Sequence, residues 1–243
     1  MRNRNPIFNI FIILLAIYLA TYGEMQALKS PLIDKPIQTQ QFSSKVFNAQ
    51  IISAILFGGF RGIIVDFIWI HIDTLWHHAR FYKLPELYEL VTIIQPEYIN
   101  GWIMGGWHMA YNMSLELPNV KSLSPQLRKK IEMNWIFRGI DFLKAGSQLN
   151  PNDAKLYFEI GWTYYNRLKD YKSSIKWFEK SAEQEDALYV TSRLIAHAIE
   201  KSGDKVKSYQ KWLSLKNHPS YMNLPSKKII DKNIARLHDI IKM

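Results

Sequence analysis

Histidine is the residue type in this chain that most invites a chemical interpretation. Four of its seven histidines lie on two segments with helical periodicity: His71, His77, His78 and His108. Asp73 precedes His77 by four residues, so the two side chains share a helix face and could form a hydrogen-bonded pair or part of a metal site. The chain has no HExxH or comparable helical motif, and His77 and His78 diverge by about 100° around a helix. We therefore predict no metal site and no cofactor.

Carboxylates offer a second possible chemistry. Asp66, Asp73 and Glu89 could supply the pair that glycoside hydrolysis requires, but no strand or loop pattern that would build a cleft accompanies them. The chain has no phosphate-binding GxxxxGK[ST] loop, no GxSxG and no GxGxxG. It also has no cysteine, which excludes a thiol nucleophile, a disulfide and a zinc site with Cys ligands. We expect that the protein is not an enzyme.

The 243 residues carry a net charge of +10, from 31 Lys and Arg against 21 Asp and Glu. An excess of this sign favours anionic partners or a membrane surface. The basic residues, including those of "QLRKK" and "SKK", are interleaved with acids and form no clean stripe. We expect contact with anionic lipid, and we expect no nucleic acid as a partner.

The amino terminus predicts a membrane anchor. Arg2 and Arg4 precede an apolar run from about Pro6 to Tyr22, which is long for the core of a signal peptide and at the short end for a membrane span. No good cleavage site follows, because Tyr22 is bulky, and a soluble helix this apolar would need covering on every side. We favour an uncleaved signal anchor over residues 1–23, although a cleaved signal peptide remains the alternative. Arginines ahead of the span predict a single-pass protein with a short cytoplasmic tail and an extracytoplasmic (periplasmic) remainder.

A second apolar stretch, "IISAILFGGFRGIIVDFIWIHI", contains Arg61 and Asp66 near its middle. Each charge would cost roughly 2.5–3.5 kcal/mol in lipid, so the stretch predicts two buried helices, 48–56 and 62–79, rather than a span. The polar, proline-containing residues 24–46 predict a tether, and residues 47–60 a leading helix.

Helical signals recur along the rest of the chain. Asp170 and Asp204 lie 34 residues apart, each at a predicted helix–helix turn, and Ile72 and Gly106 repeat the same spacing on first helices. Three prolines close second helices: Pro96, Pro151 and Pro219. The middle interval is longer because "NMSLELPNVKSLSPQLRKKIEM" is inserted between the two helices of its unit. Repeats of this length predict hairpins that must stack to bury their apolar faces.

On these residues the chain resembles the tetratricopeptide repeat (TPR) family, whose unit is 34 residues of helix–turn–helix. The third unit matches the packing positions of the family at Tyr157, Ile160, Gly161, Tyr164, Tyr171 and Phe178, with Ser174 and Ser181 where Ala is usual and one extra residue lengthening the turn before Asp170. The segment around "GGFRGIIVDFIWIHIDTLWHHARF" also resembles membrane-anchored bacterial repeat proteins, a likeness that implies no activity. The implied fold is all-α: a transmembrane helix, then an α-solenoid of about four TPR-like hairpins (61–219), then a capping helix (220–243).

The resemblance further implies that first helices line a concave groove. The family's groove positions fall here on Asp66, Trp69, Asp73, Trp76, His77, Trp107, Tyr111, Lys155, Phe158, Trp162, Tyr165 and Arg193. Aromatic rings flanked by charges suit an extended or helical peptide, so the resemblance implies a membrane-anchored scaffold that binds protein partners. Two alternatives stay open: the rings belong to the core, covered by the leading helix or the insertion, or the protein is a structural subunit or assembly factor of a larger membrane complex.

Overall fold

The computed structural model describes residues 60–117, 119, 123–218, 221 and 226–242, and within them the chain is all-α. The helices are α1 (Arg61–His77), α2 (Leu84–Ile94), α3 (Ile99–Trp107), α4 (Pro125–Leu149), α5 (Ala154–Thr163), α6 (Tyr171–Ala182), α7 (Tyr189–Lys201), α8 (Lys205–Lys216) and α9 (Lys227–Lys242). A 3₁₀ turn (Phe81–Lys83) precedes α2. No strand occurs in this part of the chain, so the all-α prediction is confirmed there.

The predicted anchor and tether, and all of the leading helix except Phe60, lie outside the described residues. None of the described helices combines the length and the apolar character that crossing a bilayer requires. The same holds for α1, which is formed by the second half of the apolar stretch and contains Arg61 and Asp66. The predicted helix over 62–79 is α1, but it is not buried as we predicted, because Ile63, Phe67 and Ile70 are exposed in the described structure.

Consecutive helices pack against each other throughout the described chain. The hairpins are α1–α2, α3–α4, α5–α6 and α7–α8, each hairpin also contacts the next, and α9 packs on α8. The first helices of the second and third hairpins, α3 and α5, touch directly as well. Sequential stacking is what the 34-residue recurrence predicts, and the structure confirms it for these residues.

Glycines mark where helix backbones approach most closely. A Cβ atom at Gly139 of α4 would lie 2.6 Å from the carbonyl oxygen of Gly106 on α3, and one at Gly161 of α5 would lie 2.7 Å from the ring of Phe178 on α6. Real Cβ atoms do not approach other atoms so closely, so these positions exclude any side chain. The Gly106–Gly139 contact fixes the separation of α3 and α4, because backbone cannot move aside as a side-chain end can.

Two serines at small-residue positions of second helices contribute hydrogen bonds between helices. The buried Ser181 hydroxyl of α6 donates to the carbonyl oxygen of Ala154 at 2.8 Å, and Ser208 of α8 donates to that of Ala196 at 2.9 Å. Each bond satisfies a buried hydroxyl and ties the second helix of a hairpin to the first. Serine at these positions therefore keeps the small size that close packing requires and adds a hydrogen bond between the two helices.

The extra residue ahead of Asp170 does not lengthen the turn as we predicted. Instead α5 continues through a π-helical segment (Tyr164–Leu168), and the turn is short, with Lys169 in the left-handed conformation and Asp170 capping α6. A π-bulge absorbs one residue inside a helix by widening the hydrogen-bond register. The corresponding part of the second hairpin is also π-helical (His108–Met113).

The insertion in the second hairpin is largely helical. Its first residues complete the π-segment and one further turn (Ser114–Glu116), and its last residues form the start of α4, which is 25 residues long. Proline at the first position of α4 and the Ser124 hydroxyl, which accepts from Leu127 N–H at 3.2 Å, define that start. The insertion thus extends both helices of the hairpin.

The final helix is held by polar as well as apolar contacts. Arg236 of α9 donates two hydrogen bonds to the Glu200 carboxylate of α7, at 2.6 and 2.7 Å, and Ile230 and Leu237 are fully buried. The apolar residues of this helix are not all buried, since Ile229 and Ile241 are exposed and Asn233 occupies a buried position. The Asn233 amide donates to the Ile229 carbonyl oxygen, which allows its burial.

We predict that Gly139→Ala lowers the free energy of unfolding by at least about 2 kcal/mol, because the new methyl group meets backbone. The measurement is thermal or denaturant unfolding of the full chain in detergent, followed by far-UV circular dichroism. Gly62→Ala is the matched control, since a Cβ atom there meets nothing within 4 Å, and we expect it to be neutral or to stabilise by up to about 1 kcal/mol. Equal effects of the two substitutions would contradict the close approach of α3 and α4.

Candidate functional site

The predicted groove residues of α1 divide into exposed charges and packed rings. Asp66, Asp73 and His77 are exposed, and His77 Nδ1 lies 3.4 Å from the Asp73 carboxylate. Trp69 packs edge-on against Tyr88 of α2 at 5.6 Å, so it belongs largely to the core.

The histidines of the sequence analysis do not come together. His71 and His77 are exposed on α1 and His78 is exposed just after it, whereas His108 is buried between the rings of Trp76 (4.5 Å) and Tyr88 (5.6 Å). Burial lowers the pKa of His108 to about 4, so it is neutral at physiological pH. In the described part of the chain no three His, Asp or Glu side chains are placed to hold a metal ion.

The carboxylates considered for hydrolysis also have separate surroundings. Glu89 of α2 pairs with Arg138 of α4 at 3.4 Å, and Asp73 pairs with His77 on its own helix. The arrangement therefore gives these groups individual partners instead of a shared site.

Two stacked aromatic pairs lie on the neighbouring first helices α3 and α5 and their π-segments. Trp107 stacks on Tyr111 with ring centres 6.0 Å apart, and Trp162 stacks on Tyr165 at 5.8 Å. Trp107 is the most accessible of these rings, with 38% of its surface exposed. Phe158 packs on Phe178 of α6, and Phe158, Trp162 and Tyr165 all lie partly buried against the core between the third and fourth hairpins.

The two charged residues that were predicted for the groove in the third and fourth units both retain some exposure to solvent. Lys155 is exposed in the first turn of α5, and Arg193 is half-buried on α7. The placement of all twelve predicted groove residues is thus known, but their role in binding stays a prediction.

A polar cluster joins α5 to the π-segment that follows α3. Glu159 is half-buried, and no hydrogen bond or ion pair reaches its carboxylate from the described residues. Burial raises the pKa of this carboxyl to about 7. The neighbouring Tyr111 hydroxyl is buried, lies beside the side chains of Thr163 and Asn166, and makes no well-formed hydrogen bond in the described structure. Burial, with a contribution from the negative charge of Glu159, raises the pKa of Tyr111 to about 12.

Arg167 closes one side of this cluster. Its guanidinium lies over the Tyr111 ring at 5.5 Å and donates to the Ser114 hydroxyl at 2.9 Å and to the Glu132 carboxylate at 3.3 Å. The charge of Arg167 is therefore matched by Glu132 of α4. Glu159 is left without a direct counter-charge.

Sequence reasoning missed Glu159 and Thr163. The available signal was a single acidic residue within the aromatic stretch "LYFEIGWTYY", which periodicity alone assigns to no surface. Tyr111 was predicted as a groove residue, but its buried hydroxyl beside α5 depends on the stacking of two hairpins.

Comparison with known proteins gives little beyond the helical architecture. No protein-family model matches the chain, and no curated protein matches it. A thermophilic TPR protein from Thermus thermophilus, known from its crystal structure, is similar with 12% sequence identity and a TM-score of 0.44, over 79% of this chain and 98% of that one. A likeness at this level transfers no binding activity.

The buried carboxyl predicts a pH-dependent stability difference. Because the pKa of Glu159 is about 7 in the folded chain and near the ordinary glutamate value of 4.5 in the unfolded chain, wild-type stability falls as pH rises from about 4.5 through 7. Glu159→Gln removes this loss, so it should stabilise by about 1–3 kcal/mol at pH 8 and have little effect at pH 4.5. Denaturant unfolding of both proteins at the two pH values is the measurement. Glu179→Gln, an exposed change on α6, is the matched control, and equal effects of the two substitutions would refute the partial burial of Glu159.

Proposed function

We propose that the protein is a membrane-anchored scaffold that binds a protein partner on the face formed by its first helices. The observation that carries this proposal is the pair of stacked rings at the end of α3 and in its π-segment, where Trp107 is 38% exposed and Tyr111 is half-buried. Rigid aromatic rings at a partly open position bury much area on binding and lose little conformational entropy. The second stacked pair, Trp162 and Tyr165, lies on the adjacent first helix and extends the same kind of surface.

The proposal includes the membrane topology that the sequence favours. Arg2 and Arg4 ahead of the apolar run support a single span with a short cytoplasmic tail and the helical domain on the periplasmic side. It also assigns the protein a binding role without catalysis, cofactor or nucleic acid. Support for the absence of catalysis comes from Glu89 and Asp73, which are each engaged by a separate basic partner.

A second candidate function, a structural subunit or assembly factor of a membrane complex, is favoured by a different surface. One face of α1 exposes four large apolar side chains, each more than half accessible: Phe60, Ile63, Phe67 and Ile70. Their spacing places them on a single stripe of the helix. An exposed stripe of this kind is typical of a surface that another protein covers.

Site-specific photo-crosslinking in the native host separates the two candidates. A benzophenone amino acid replaces Trp107 or Trp162 on the first-helix face, Phe67 on the α1 stripe, or Phe137, an exposed ring on α4 that serves as the matched control. We expect one discrete adduct shared by positions 107 and 162 and absent at 137. Adducts formed only at position 67 would favour the second candidate, a structural subunit of a membrane complex. Equal adducts at positions 107 and 137 would reject partner binding on the first-helix face.

Absence of cysteine makes the topology directly testable. We predict that Lys201→Cys, exposed at the end of α7, reacts with a membrane-impermeant maleimide in intact spheroplasts. Asn3→Cys, in the predicted cytoplasmic tail, should react only after lysis. The reverse pattern would place the helical domain in the cytoplasm and reject the periplasmic assignment.

A further inference from the structure

We propose that the surface where α5 meets the π-segment after α3 binds an arginine or lysine side chain of the protein partner, with Glu159 as its counter-ion and the accessible ring of Trp107 as its aromatic contact. This inference rests on the proposed function and names the chemistry that the first-helix face recognises. It follows from the charges, the unsatisfied polar groups and the backbone geometry of the cluster.

The first argument is charge. Glu159 carries a half-buried carboxylate that receives no hydrogen bond and no ion pair from the described residues. A buried carboxylate without a partner is costly, and a cationic ligand removes that cost when it binds. The free energy recovered at Glu159 would then contribute to affinity.

The neighbouring charges do not already neutralise Glu159. On α5 itself, Lys155 lies one turn earlier and is exposed, and the Arg167 guanidinium is bound by Ser114 and Glu132. From the α3 side the titratable groups are Tyr111 and the buried His108, which is neutral because burial lowers its pKa to about 4. From α4 the nearby charges are Glu132 and its exposed partner Lys129, at 3.0 Å.

The second argument is the aromatic contact. A cation over the face of Trp or Tyr is attracted by the ring quadrupole, with Trp the strongest. The Tyr111 ring is already in contact with Trp107, stacked at 6.0 Å, and with the Arg167 guanidinium at 5.5 Å, so Trp107 is the ring of this pair that can receive a ligand cation. Trp107 remains accessible beside Tyr111.

The third argument is the backbone. The cluster lies where the π-helical segments of two neighbouring first helices occur, Tyr111 being in one and Asn166 and Arg167 in the other. π-Bulges are frequent at functional sites. The buried Tyr111 hydroxyl, which lacks a well-formed hydrogen bond, adds an unsatisfied polar atom to the same place.

The test uses the full chain in nanodiscs of zwitterionic lipid, labelled with 5-fluorotryptophan. The Trp107 fluorine resonance is assigned from Trp107→Phe. The probes are N-acetyl-arginine amide, N-acetyl-lysine amide and N-acetyl-citrulline amide, the last being the uncharged analogue of arginine. We expect a saturable shift of the Trp107 resonance with the two cations and none with citrulline.

Two variants and the pH then assign the effect to Glu159. Glu159→Gln should abolish the saturable shift, whereas Glu179→Gln, an exposed change on α6, should preserve it. Because Glu159→Gln is expected to stabilise the fold, loss of binding would not reflect unfolding. In the wild type, the association constant for arginine amide should fall about tenfold from pH 8 to pH 6, as the ionised fraction of a carboxyl with a pKa of about 7 decreases.

Equal shifts with arginine and citrulline, unchanged binding in Glu159→Gln, or no saturable shift with either cation would each overturn the inference. These outcomes are independent of photo-crosslinking at Trp107 and Trp162. A crosslinked partner without cation binding would retain the scaffold and reject only the cationic contact. Cation binding without a crosslinked partner would retain this site and reject the protein partner as its ligand.

Discussion

The distance between α3 and α4 is set by a single close approach of backbones, and much of the described structure depends on it. The carbonyl oxygen of Gly106 faces Gly139 at a separation that admits no side chain. Once these helices are in contact, Trp102 and Phe142 are enclosed at the centre of the largest core cluster. The second hairpin is also the one that contacts both the first and the third, so its geometry determines where its neighbours lie.

Polar bonds reinforce the stack where apolar contact alone would leave buried groups unsatisfied. The hydroxyls of Ser181 and Ser208 donate to carbonyl oxygens of the preceding first helix, and Arg236 binds Glu200 with both arms of its guanidinium. Bidentate pairs of this kind have a defined direction as well as favourable energy. These bonds orient α6, α8 and the last helix, α9, on helices that precede them, so the stacking of this half of the domain follows from specific bonds as well as from hydrophobic burial.

Much of this architecture could be predicted from sequence, because it depends on local periodicity. The 34-residue spacing of Asp170 and Asp204 and the position of Gly161 locate the third and fourth hairpins, and both aspartates do cap second helices. Whether a given ring is accessible could not be predicted, because it depends on helices distant in sequence. Trp69 is packed by Tyr88 and Tyr98, whereas Trp107, at a different groove position of the next unit, stays accessible. Glu159 was missed for the same reason, since its burial depends on stacking against Tyr111.

The π-helical segments of the second and third hairpins allow the accessible face of a helix to change while its packed face is kept. A regular helix links these two faces. In a regular helix, adding one residue rotates everything downstream and disturbs the packed face along with the accessible one. Here the added residue is taken up within the widened turn of Tyr164–Leu168, and Asp170 still caps the next helix. Insertion or loss of one residue at such a place would give each hairpin a different set of displayed side chains on the same framework. A chain built in this way can change what it recognises without changing how its layers fit together.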